Sequence, residues 1–104
     1  MAHLPRLTLL FTLAATVPAY AVEGAQAGSA KAAVCTGCHG PNGISVNPLW
    51  PNLAGQHAAY LSKQLAAFRD GTRAEPTMQP FVANLTDADI DEIAAFFASR
   101  NGCR

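Results

Sequence analysis

The sequence has 104 residues, enough for one domain, with 7 basic and 7 acidic side chains and only three cysteines. The balanced charge argues against the basic face that binds nucleic acid. Three cysteines cannot build a disulfide framework.

The chain starts with Met1 and Arg6 as its positive end, runs through an apolar stretch from Leu7 to Val17, and reaches Ala19-Tyr20-Ala21. This order of charged, apolar and small residues predicts a secretory signal peptide over residues 1–21. Eleven residues are too few for a membrane span, which needs about 20. Cleavage after Ala21 would remove one charged side chain, Arg6. It would leave a domain over residues 22–104 with 6 basic and 7 acidic residues, a formal charge of −1. A hydrophobic core alone stabilises so small a domain by only a few kcal/mol, so a further filler or staple is expected.

Residues 22–30 are small and weakly patterned and read as a flexible start. Ser29 to Cys38 reads as a short helix, ended by the turn Gly40-Pro41-Asn42-Gly43. Residues 44–56, with Pro48 and Pro51, read as an irregular loop in which Ile44, Val46, Leu49, Trp50 and Leu53 are the bulky candidates for burial. Ala58 to Arg69 is predicted helical, since Ala58, Leu61, Leu65 and Phe68 form an apolar stripe of helical period, and Gly71 stops it. Residues 72–85, with Pro76 and Pro80, read as a second extended loop. Thr86 is the predicted N-cap of a last helix, with Asp87, Asp89, Asp91 and Glu92 near its positive end. Ile90, Ile93, Ala94 and Phe97 line one face of it. No strand pattern occurs, so the fold class is all-α.

Cys35-Thr36-Gly37-Cys38-His39 is C-x-x-C-H, the attachment signature for c-type haem. On a helix, Cys35 lies beside Cys38 and His39. Two thiols can then meet one edge of a porphyrin while the imidazole reaches its iron. Half a zinc site is a rival reading, but His57 and Cys103 are too scattered to supply the other half. A thioredoxin-like pair would need a βαβ context. For the sixth iron ligand, Met78 in its Pro76…Pro80 loop competes with His57 and with a five-coordinate iron.

With Trp50-Pro51-Asn52-Leu53-Ala54-Gly55-Gln56, Tyr60-Leu61-x-x-Gln64-Leu65-x-x-Phe68-Arg69-x-Gly71-x-Arg73 and Met78 before Leu85-Thr86-Asp87, the chain resembles class I c-type cytochromes. Among these it looks most like the bacterial cytochrome c4/c5/c553 group, over about residues 32–97. The resemblance implies a small class I cytochrome c fold, three or more short helices and long loops around one haem c and its iron. It makes Met78 the distal ligand opposite His39. It gives the Pro51 carbonyl the proton of the other His39 ring nitrogen. Leu53, Tyr60, Leu65 and Phe68 become pocket walls, and Trp50 lies near the propionates. Arg69 or Arg73 would neutralise a propionate or, equally, cover a solvated helix end. Cytochrome c4 carries two haem domains, whereas this sequence has one C-x-x-C-H, so it resembles one half of such a protein or a monohaem relative. Cys103 is left over, which suggests a homodimer linked through an intermolecular disulfide, or a free thiol.

The expected role is a periplasmic one-electron carrier and not an enzyme. Its partners would be redox proteins: respiratory complexes, oxidases, reductases or dehydrogenases. The alternatives are a cytochrome subunit of a larger dehydrogenase, and a haem enzyme or gas-binding protein with a labile distal ligand, for which His57 is the available distal group.

Overall fold

The computed structural model of the chain describes residues 11–16 and 18–102, and no strand occurs among them. The helices are α1 (Ala19–Lys31), α2 (Thr36–His39), α3 (Ala58–Asp70), α4 (Gln79–Val82) and α5 (Asp87–Ala98), with a 3-10 turn at Ala32–Val34. The all-α expectation holds. No helix among the described residues is long and apolar enough to cross a membrane.

The start of α5 is fixed by a reciprocal cap. The Thr86 hydroxyl accepts from the Asp89 N–H at 3.1 Å, and the Asp89 carboxylate accepts from the Thr86 N–H at 2.9 Å. Two otherwise unpaired N–H groups are thereby satisfied. Lys31, in the last turn of α1, reaches Asp89 at 2.7 Å and also pairs with Glu92. Cation at a helix end and carboxylate at a helix start both suit the helix dipoles. Thr86→Ala is expected to cost about 1 kcal/mol in a denaturation midpoint.

The Lys31 ammonium, followed by the two Thr86 hydrogen bonds, lowers the Asp89 carboxyl to about 2. An unfolded aspartate titrates near ~3.9. Asp89 therefore stabilises the fold above about pH 4, and that contribution is lost as pH falls towards 2. The midpoint difference between the native protein and Asp89→Asn should narrow across this acid window. A constant difference would mean the carboxylate charge plays no part.

α1 lies against α5 through two glycines four residues apart, on one helix face. A Cβ on Gly24 would sit 3.7 Å from the Ala95 Cβ, an ordinary contact. A Cβ on buried Gly28 would lie 1.9 Å from the Glu92 carbonyl oxygen, closer than atoms can approach. The two alanine substitutions should therefore differ in sign. Gly24→Ala gains up to about 1 kcal/mol of helix propensity. Gly28→Ala costs about 1–3 kcal/mol by overpacking. Thermal denaturation of the two variants side by side checks both.

The core gathers Ala32, Leu61, Ile93, Ala94, Phe96 and Phe97, with Leu53, Leu65 and Leu85 packed against it. Phe96 and Phe97 meet edge to face, 5.0 Å between ring centres and 69° between planes. Ile90, Ile93, Ala94 and Phe97 are buried as their spacing predicts, and Phe96 joins them. Gly71 takes the left-handed conformation that ends α3, at φ 80°.

Four expectations change. Residues 22–30 are helical within α1, not a flexible start. The helix expected from Ser29 to Cys38 is broken into the end of α1, the 3-10 turn and α2. The loop over 72–85 contains α4, which tolerates Pro80 because a first-turn N–H has no helical partner to lose. Val46 and Leu49, expected inside, are 101% and 84% exposed. Of the leader expected over 1–21, residues 1–10 and 17 lie outside the described residues, as does Cys103.

Candidate functional site

The C-x-x-C-H segment turns because its backbone closes on itself. The Cys35 carbonyl accepts from the N–H groups of Cys38 at 3.3 Å and His39 at 2.9 Å. Thr36 anchors the turn by donating its hydroxyl to the Ala33 carbonyl at 2.7 Å. The chain leaves α2 through Gly40, whose φ of 86° favours glycine and where a Cβ would stand 2.0 Å from the Ile44 carbonyl oxygen.

His39 is buried, and its Nδ1 lies 2.8 Å from the Pro51 carbonyl oxygen. A carbonyl can only accept, so Nδ1 carries the proton. In the neutral ring this leaves the Nε2 lone pair as the ligand atom. The expected partnership of Pro51 with His39 is present. Burial, and then the neighbouring Cys38, pushes the Cys35 thiol up.

A cavity of about 590 Å³ opens beside this turn, within the ~300–1,000 Å³ range of ligand and cofactor sites. Its lining includes Cys35, Cys38, His39, Trp50, Pro51, Leu53, Tyr60, Leu65, Phe68 and Met78. The attachment cysteines, His39, Met78, Pro51 and the expected wall residues therefore share one wall system. Met78 sits in a turn closed by its N–H to the Glu75 carbonyl at 3.0 Å, and it caps α4. His57, the rival ligand, is the exposed N-cap of α3 and is not in the lining.

The two arginines separate. Arg73 lines the cavity, stacks its guanidinium 4.5 Å from the Phe68 ring centre and donates to Gln64 at 2.7 Å. Arg69 turns elsewhere. It donates to the Leu85 carbonyl at 3.1 Å and pairs with Asp70 and Asp87 at 2.9 and 2.8 Å. It ties α3 to the start of α5, so it neither reaches the cavity nor merely covers a solvated helix end. Sequence reasoning assigned no role to Phe81, Gln64 and Asn52, which also line the cavity. Gln64 was within reach of the helical pattern, four residues from Tyr60 and from Phe68.

These residues fit a covalently held haem. Two thiols and an imidazole share one turn, a thioether lies in the same cavity, and the walls are aromatic and aliphatic. Among the described residues no group of three or more His, Cys, Asp or Glu gathers as a zinc site would require.

Residues 22–101 match the family profile described as cytochrome c. The chain belongs to the cytochrome c family. It is 48% identical over 93 residues to cytochrome c4 of Pseudomonas aeruginosa, an alignment covering 89% of this chain and 46% of that protein. It is 42% identical over 79 residues to cytochrome c-554(548) of Halomonas halodenitrificans, covering 73% of this chain and 95% of that one. The structure of Acidithiobacillus ferrooxidans cytochrome c4 superposes with a TM-score of 0.69 at 34% identity, covering 73% of this chain and 49% of the other. The chain spans about half the length of the cytochrome c4 proteins it matches. As a cytochrome c it carries covalently bound haem c, with Cys35 and Cys38 as the attachment pair.

Proposed function

We propose that this cytochrome c is a periplasmic one-electron carrier with a single haem, its iron held between His39 and Met78. The observation that supports this most is that one cavity is lined by both His39 and Met78, while His57 stands outside it. Haem iron bound there supplies a reversible one-electron couple between ferrous and ferric states.

The chain's own groups define the rest. Cys35 and Cys38 anchor the macrocycle through thioethers. The Pro51 carbonyl, 2.8 Å from Nδ1, fixes the His39 tautomer and makes the ring a stronger donor to the metal. Met78, a thioether, favours the reduced state and raises the potential. Leu53, Leu65 and Phe68 exclude water from the ring faces, and Arg73 is the cation for a propionate. With His39 and Met78 both binding the iron, no coordination site would be left for a substrate, which would disfavour the enzyme and gas-binding readings. Trp50, Tyr60 and Phe81 are partly exposed members of the lining. They offer redox partners a small contact of the transient electron-transfer type.

A potentiometric titration tests this proposal. One reversible one-electron wave, with no turnover of peroxide, is the expected result. Two waves or peroxide consumption would contradict it.

A further inference from the structure

The loop that carries Pro51 is held by more than its two ends. At its base the Gly43 carbonyl accepts from the N–H groups of Leu53 at 2.7 Å and Ala54 at 3.0 Å. Inside that ring sits Ser45, buried although polar. Its backbone N–H donates to Asn52 Oδ1 at 2.7 Å. Its hydroxyl faces the Asn47 carbonyl at 3.0 Å and the Cys38 carbonyl at 3.3 Å, and accepts from the Asn47 N–H at 3.1 Å. Cys38 directly precedes His39, and Asn52 directly follows Pro51. The pair therefore bridges the two backbone segments whose separation sets the contact between His39 Nδ1 and the Pro51 oxygen.

Proline has no N–H, so Pro51 cannot anchor itself by donating to a neighbour. Apart from its contact with His39 Nδ1, its carbonyl is positioned through adjoining residues. We propose that Ser45 and Asn52 are positioning residues for the proximal imidazole, holding the Pro51 carbonyl on His39 Nδ1 and thereby setting how strongly His39 donates to the iron. The inference rests on His39 being an iron ligand. A strong Nδ1–H···O=C bond adds electron density to the ring and favours ferric iron. Loosening it weakens that donation and raises the reduction potential.

The test uses the haem-loaded protein and the variants Asn52→Leu and Ser45→Ala, with Thr86→Ala as a control that destabilises a remote helix end. Two readouts are taken, the reduction potential and solvent exchange of the His39 Nδ1 proton by 15N NMR. Both loop variants should raise the potential and speed this exchange roughly fivefold to tenfold, as loss of one net hydrogen bond implies. The control should change neither. In the native protein, the Ser45 amide proton and the His39 Nδ1 proton should share one slow exchange rate, a comparison that needs no variant to fold. Unchanged potential and exchange in the loop variants, equal shifts in the control, or a Ser45 amide that exchanges freely would overturn the proposal. A His39 imidazole showing no iron-dependent shift at all would instead reject the axial assignment beneath it.

Discussion

Met78→Ala makes the reduced protein bind carbon monoxide and lowers its reduction potential. Of the side chains lining the cavity besides His39 and the two attachment cysteines, Met78 offers a soft neutral donor to iron, and His57 does not line it. Alanine cannot reach the metal, so one face opens to a small ligand. Loss of a thioether donor also removes the stabilisation of ferrous iron. The fall in potential should be on the order of 0.1 V or more, within the roughly 0.8 V span that axial ligands command. Because Met78 is only partly buried and lies in a turn closed by backbone bonds to Glu75, the variant should still fold. Met78→His should close the site again but leave the potential low, which separates loss of a ligand from loss of a wall. Carbon monoxide difference spectra and potentiometry on both variants check the result.

Replacing both attachment cysteines has the larger structural effect. Cys35→Ser with Cys38→Ser should give a chain without covalent haem and without a cooperative unfolding transition. The cavity of about 590 Å³ lies beside the core residues Leu61, Ile93, Ala94 and Phe97, which also line it. Left without the prosthetic group, these residues lose the packing partner that fills this volume. The whole stability of a small domain is about 5–15 kcal/mol. No large apolar reserve remains, because the largest fully buried side chains among the described residues are Phe97, Ile93 and Val82. Far-ultraviolet circular dichroism and a denaturing gel stained for haem provide the check. A folded, colourless double variant would show that the helices stand without the prosthetic group.

The candidate site was legible where chemistry forces residue type and spacing together. Cys35, Cys38 and His39 must follow one another within a helical turn, and they do. The period of Leu61, Leu65 and Phe68 gave α3, and Thr86 with Asp89 gave the start of α5. What escaped the sequence lies where packing works without bulk. α1 meets α5 through Gly24 and Gly28, which leave no apolar stripe to read. α4 begins beside Pro80, a residue that in isolation signals a loop. Arg69 lies in the last turn of α3 and Arg73 beyond its Gly71 stop, and the positions of Asp87, Leu85 and Phe68 send one to α5 and the other into the cavity. Val46 and Leu49 looked like core residues by composition. The turn that spans Asn47 to Trp50, bonded through its backbone at 3.1 Å, instead brings Leu49 to the cavity wall, outside the core, and Val46 is fully exposed.

The most direct test of the account is whether Met78 is on the iron. The sequence has two methionines, Met1 and Met78, so labelling methionine methyl carbons with 13C gives at most two signals. In the reduced, diamagnetic protein, a methyl held over the haem plane is shifted far upfield by the ring current. The account predicts one such methyl resonance, absent in Met78→Ala and unmoved by added carbon monoxide. A Met78 methyl at the ordinary position of a free methionine would contradict it and leave the sixth position of the iron open.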